Sequence, residues 1–224
     1  MNMRADIKDA IQDGNVEALH RLISADPALA YEKLDGQRTA LHVATDWPGH
    51  FPNVRETISA LVAHGADVNA QFKGQHSESP LHWAASSGDI DALDTLLDHG
   101  ASTEAPGAII GGGTPLADAV AFGQWRAAHR LIERGACSTI WQAAALGLLD
   151  RVKEYFATKP APPPDVVTNA FWSSCHGGQL AAASYLLERG ADLHWIGHDH
   201  LTPLQAAMRN GNQDLVEWLR HQSV

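Results

Sequence analysis

One short pattern recurs along this chain and leaves its fold little freedom. Thr39-Ala40-Leu41-His42-Val43-Ala44, Ser79-Pro80-Leu81-His82-Trp83-Ala84, Thr114-Pro115-Leu116-Ala117-Asp118-Ala119 and Thr202-Pro203-Leu204-Gln205-Ala206-Ala207 share one layout. The Leu serves as a ruler: a small residue sits three positions later and Gly seven positions later, as in Leu81, Ala84 and Gly88. Leu116, Ala119 and Gly123 fit the same ruler, as do Leu204, Ala207 and Gly211. Weaker copies stand at Ile7, Ala10 and Gly14, at Ile140, Ala143 and Gly147, and at Ala170, Ser173 and Gly177. Leu41 and Ala44 open a further copy whose turn carries the insertion 46–53. The seven ruler residues stand 34, 40, 35, 24, 30 and 34 residues apart.

Each unit reads as two short antiparallel helices. Thr or Ser caps the first, and Pro takes the first helical position, where its missing N–H costs nothing. Leu and the small residue three places on share a face, and a small side chain there lets neighbouring helices approach. The second helix shows apolar residues at helical spacing, as in Ile90, Leu93, Leu96 and Leu97, or Leu180, Tyr185, Leu186 and Leu187. Gly65, Gly100, Gly135 and Gly190 supply left-handed caps. No unit can bury its apolar face alone, so the units must stack. The polar first unit, with Asp6, Lys8, Asp9, Gln12 and Asp13, suits a terminal cap.

This pattern resembles the ankyrin repeat, a unit of about 33 residues with a Thr-Pro-Leu-His-x-Ala signature. The resemblance covers nearly the whole chain and is to a stand-alone array of bacterial type. It implies an all-α ankyrin-repeat solenoid of about seven helix-turn-helix units with short β-turn fingers. We expect a single ankyrin-repeat domain over 1–224, with units near 3–35, 36–73, 76–108, 111–136, 137–164, 167–196 and 199–224. The shortest gap leaves only 136–139 between Gly135 and the next helix, too short for a finger. The segment 159–165, rich in proline, reads as a stiff connection between units.

Composition narrows the function classes. Sixteen basic residues against 26 acidic ones give a net charge of −10, with no run of Lys or Arg. Nucleic-acid binding is disfavoured, because neutralising phosphates needs a basic stripe. No stretch approaches the roughly 20 apolar residues of a membrane span. Arg4, Asp6, Lys8 and Asp9 do not suit a signal peptide. Cys137 and Cys175 lie in different units and read as reduced thiols of a cytoplasmic protein.

The resemblance also implies a concave groove lined by the first helices and fingers. If Leu and its small partner face the core, the stripe at two, five and six positions past Leu faces elsewhere. It carries Asp46, Trp47, Trp83, Asp118, Phe122, Gln142, Trp172 and His176, and we take these as candidates. His50 of the insertion, His76 of an earlier finger and Trp195 of the last finger join them. His42 and His82 hold the signature position and read as structural histidines. His194, His198, Asp199 and His200 crowd one finger, but three ligands on one loop without a helical His pair do not define a metal centre. Neither a metal nor a cofactor is expected.

Two function classes follow. The first is a binding protein that engages a protein or peptide partner through the groove, since Trp side chains anchor interfaces. The alternative is a small-molecule-binding protein or an enzyme that uses an aromatic pocket with Asp118 as general acid or base. The glycine-rich finger 105–113 precedes Asp118 and lacks the Lys-Ser/Thr ending of a P-loop.

Overall fold

The computed structural model describes residues 3–222, which divide into two compact units, one ending at Cys137 and the other beginning at Ser138. The division falls inside 136–139, where the spacing leaves no room for a finger.

In the first unit, α1 (Met3–Gln12), α4 (Ala40–Ala44), α6 (Pro80–Ser87) and α8 (Pro115–Ala121) are the first helices of four repeats. Their partners are α2 (Val16–Ala25), α5 (Val54–Ala63), α7 (Ile90–Asp98) and α9 (Trp125–Glu133), and a short helix, α3 (Ala28–Tyr31), lies in the first connection. First helices stack on first helices, α1 on α4, α4 on α6 and α6 on α8, and second helices on second helices. Leu41, Leu81 and Leu116 are fully buried, as are Ala44, Ala84 and Ala119. Each such Leu contributes about 2 kcal/mol by leaving water. On the second helices, Arg130 makes a two-pronged contact with Asp94, Nε at 2.7 Å from Oδ1 and Nη2 at 3.1 Å from Oδ2. Arg134 joins it, at 3.2 Å from Asp94 and 2.6 Å from Asp98.

In the second unit, α10 (Ile140–Ala145), α12 (Pro164–His176) and α14 (Pro203–Asn210) are first helices. Their partners are α11 (Leu149–Ala157), α13 (Leu180–Leu187) and α15 (Gln213–Gln222), and a single 3-10 turn covers His198–His200. Ala143, Ala170, Phe171, Cys175 and Ala207 form its core. Burial pushes the Cys175 thiol up to about 12, so it is inert.

The fingers are turns closed by backbone bonds rather than sheet. Leu34 N–H donates to Arg38 O, Phe72 N–H to Glu78 O and Ala108 N–H to Gly113 O. Adjacent fingers are tied by Lys73 N–H to Gln37 O at 3.2 Å and by Ser77 N–H to Gly107 O at 3.3 Å. The insertion docks on both sides. Asn53 donates to Gly14 O at 2.9 Å, and the His50 N–H donates to Asp89 Oδ2 at 2.6 Å.

The signature imidazole works in two directions. His42 Nδ1 lies 2.8 Å from the Thr39 hydroxyl, while Nε2 donates to Glu78 O of the next finger at 3.1 Å. His82 repeats this with Ser79 at 3.0 Å and Gly113 O at 3.3 Å. Each is a strut between consecutive repeats. In α10 and α14 a Gln takes the same place, and its side-chain oxygen accepts from the capping Thr139 or Thr202.

Burial lowers the His42 imidazole from 6.5 to about 4. Between those values the unfolded chain binds the proton and the folded chain does not, so stability falls as pH drops from 6.5 towards 4. The full loss is roughly 3 kcal/mol. We expect His42→Gln, which keeps the capping bond, to flatten the acid limb of unfolding free energy against pH. An unchanged acid limb in urea titrations at pH 7 and 4.5 would count against this role.

Candidate functional site

Finger 105–113, α6 and α8 meet around two carboxyl groups of the first unit. Asp118 is fully buried, and Glu78 is 7% exposed. The pair arises from register. Asp118 stands four residues after its cap, Thr114, where Trp83 stands after Ser79, and Glu78 immediately precedes that Ser79 cap. Glu78 is well held: Trp83 Nε1 donates to Oε2 and the Ile109 N–H donates to Oε1, both at 2.8 Å. His76 Nδ1 stands 3.1 Å from Oε2.

Asp118 is held differently. No donor of ordinary geometry reaches either of its oxygens. Burial raises its pKa first, then the charge of Glu78 and a bond to the Glu78 side chain, with the Ile110 N–H pulling weakly the other way. Two carboxyls can bond one another only with a proton between them, so the pair carries one proton and one negative charge. Among the described residues no Lys or Arg bonds either carboxyl.

Aromatic rings flank the pair. Phe72 stacks on His76 at 4.6 Å between centroids, and Trp83 lies 5.6 Å from Phe72 and 5.0 Å from His42. Above them a cleft of about 440 Å³ opens between two fingers, lined by His76, Ser77, Gly107, Ala108, Ile109 and Gly112 among others. Asp118 is buried and is not part of the wall of this cleft.

Sequence reasoning selected Asp118, Trp83 and His76, which the structure brings together, and missed Glu78. The signal for Glu78 was a lone acid immediately before a Ser-Pro-Leu start. Other candidates lie apart. Asp46 pairs with Arg38 at 2.5 Å, and Trp47 beside it is 83% exposed. His50 Nε2 lies 3.3 Å from Ser87 O, and Phe122 is 54% exposed at the end of α8. Gln142 is nearly buried and bonds its own cap, Thr139.

In the second unit, Trp172 is buried and donates to Leu201 O at 2.8 Å. His176 stacks on it at 5.5 Å. His198 meets Trp172 edge-on at 5.0 Å and Trp195 at 6.0 Å. Its Nε2 lies 3.1 Å from Asn169 Oδ1, and Asp199 pairs with Arg209 at 2.5 Å. The His198 imidazole of this finger is thus engaged both in packing and in a hydrogen bond.

An array of paired helices joined by such struts defines a repeat protein whose site must be read residue by residue. The family model for ankyrin repeats, in three copies, matches residues 53–140, so that stretch of the chain is built of ankyrin repeats. It is 28% identical over 183 residues to the ankyrin repeat and KH domain-containing protein mask-1 of Caenorhabditis elegans. It is 26% identical over the same length to the ankyrin repeat and KH domain-containing protein CBG24701 of Caenorhabditis briggsae. Each alignment covers 82% of this chain and 6% of the relative, so the chain spans a small part of the length of the relatives it matches. Ankyrin repeats are generally modules of protein–protein interaction. No helix among the described residues is long and apolar enough to cross a membrane.

Proposed function

We propose that this chain binds a protein or peptide partner through its fingers and first helices. The observation that supports this is where large apolar side chains remain exposed. Ile109, Ile110 and Ile196 lie on fingers, Trp47 and Phe122 follow first helices, and Met208 lies on a first helix. Tyr31 ends α3, and among the described residues no second helix contributes one. Exposed apolar side chains on the fingers and at the first helices, and none on the second helices described, support an interaction surface on that layer. The two free cysteines suit a reducing compartment, which is where we place the protein.

Peptides selected by display on the intact chain test this reading. We expect Phe122→Ser or Ile109→Ser to weaken the selected peptides by tenfold or more, a loss of about 1.4 kcal/mol each. Arg126→Ala, on a second helix, should leave them unchanged. Peptides indifferent to Phe122 and Ile109 but sensitive to Arg126 would overturn it. The alternative, chemistry at Asp118, needs a substrate to reach a fully buried carboxyl, and hence finger 105–113 to swing aside.

A further inference from the structure

We propose that the Glu78–Asp118 pair is the receptor for a cationic side chain, an arginine guanidinium of the partner, admitted beneath finger 105–113. This rests on the protein- or peptide-binding reading and names the chemistry that one part of that surface recognises.

Four observations converge on a cation. Among the described residues the two carboxyls have no Lys or Arg partner, only the His76 imidazole beside Glu78, in a chain of net charge −10. Asp118 is fully buried, and no donor of ordinary geometry meets either of its oxygens. Planar rings stand beside Glu78: His76, which also lines the cleft, stacks on Phe72, and Trp83 lies 5.6 Å from Phe72. The cleft of about 440 Å³ ends on His76, which touches the same Glu78 oxygen as Trp83.

A guanidinium suits this set better than an ammonium. Its flat fork can bond two carboxylates at once and lie against aromatic planes, which a compact ammonium cannot do. Entry requires the finger to lift, and few bonds hold it down. They include Ile109 N–H to Glu78 Oε1, Ser77 N–H to Gly107 O at 3.3 Å and His82 Nε2 to Gly113 O at 3.3 Å, with weaker contacts of Ile110 to Asp118 and of Ala105 to His82. A side chain at Gly111 or Gly112 would meet no atom within 4 Å, so the tip packs against nothing.

The charge balance is simple. The protonated pair has one negative charge, and an entering guanidinium displaces the shared proton to solvent. The complex then holds two carboxylates and one cation, again with one net negative charge. The titratable groups around the pair are His76 of the Glu78 finger, His42 of α4, which bonds the Glu78 carbonyl, and His82 of α6, whose surroundings include both Glu78 and His76. Linkage therefore requires affinity to rise as pH rises, by up to tenfold per pH unit while the pair still carries its proton.

The test uses the intact chain and two probes, N-acetyl-arginine methylamide and its neutral isostere N-acetyl-citrulline methylamide, titrated by NMR between pH 6 and 8. The reporter is the Trp83 indole N–H, assigned by its loss in Trp83→Phe. We expect the arginine probe to shift it saturably and to bind more tightly at higher pH, and the citrulline probe to do neither. Asp118→Asn and Glu78→Gln should each weaken the arginine probe by tenfold or more with the remaining spectrum unchanged. Equal shifts from both probes, or arginine binding indifferent to pH and to Asp118→Asn, would overturn the proposal. If the selected peptides still depend on Phe122 and Ile109 while the arginine probe fails, only this inference falls. If the arginine probe binds but the peptides ignore that surface, the broader reading falls instead.

Discussion

Asparagine in place of Asp118 makes the chain harder to unfold in urea, and the gain widens as pH rises. The buried carboxyl keeps its proton well above its ordinary value of 3.8, chiefly because burial disfavours the charge and then because Glu78 is charged beside it. Above 3.8 the unfolded chain releases that proton while the folded chain retains it. Folding then takes up a proton, and stability falls with rising pH until the folded pair itself titrates. Asn carries no such cost, and its amide can donate to Glu78 as the protonated carboxyl does. The expected gain is about 1–3 kcal/mol at pH 8 and smaller at pH 5. Urea midpoints at the two pH values decide the matter. A loss of stability at both would mean that Asp118 is ionised and held by bonds to the finger.

Alanine at Gly177 has the opposite effect and a larger one. Gly177 ends α12 with ordinary right-handed backbone, so torsional strain is not the issue. A side chain there would place its first carbon 1.9 Å from Ala145 O and 2.7 Å from Ala145 C. Both atoms are backbone and neither can yield by rotation, so α12 must withdraw from α10, its main packing partner. We expect a cost of at least about 3 kcal/mol, confined to the second unit. Gly135→Ala is the control. Gly135 has φ +96° but nothing within 4 Å of the added carbon, so it should cost only about 1 kcal/mol. Hydrogen exchange should show lost protection over α10 and α12 for Gly177→Ala alone. Equal effects from the two glycines would refute the packing argument.

The repeats were legible because the same few residues do the same local job each time. Thr39, Ser79, Thr139 and Thr202 all cap through the third helical residue, and the ruler Leu is buried in α4, α6 and α8. Local rules of capping and spacing suffice for that much. The carboxyl pair was half legible. Asp118 stood out because its repeat position elsewhere carries Trp, whereas Glu78 had no such contrast. Its side chain turns inward because Trp83 and Ile109 both offer donors, a long-range outcome that spacing cannot show. The insertion was visible as extra length, but its attachment to Gly14 on one side and to Ser87 and Asp89 on the other depends on the two flanking repeats.

The imidazole struts mark where this chain can be divided. His42 reaches Glu78 O and His82 reaches Gly113 O, but the fourth repeat has Ala117 at that place, with no group to donate. The carbonyl in the matching position, Ser138 O, accepts instead from the Tyr155 hydroxyl of its own unit at 2.6 Å. A cut between Cys137 and Ser138 would therefore strand neither an imidazole without its carbonyl nor that carbonyl without its donor.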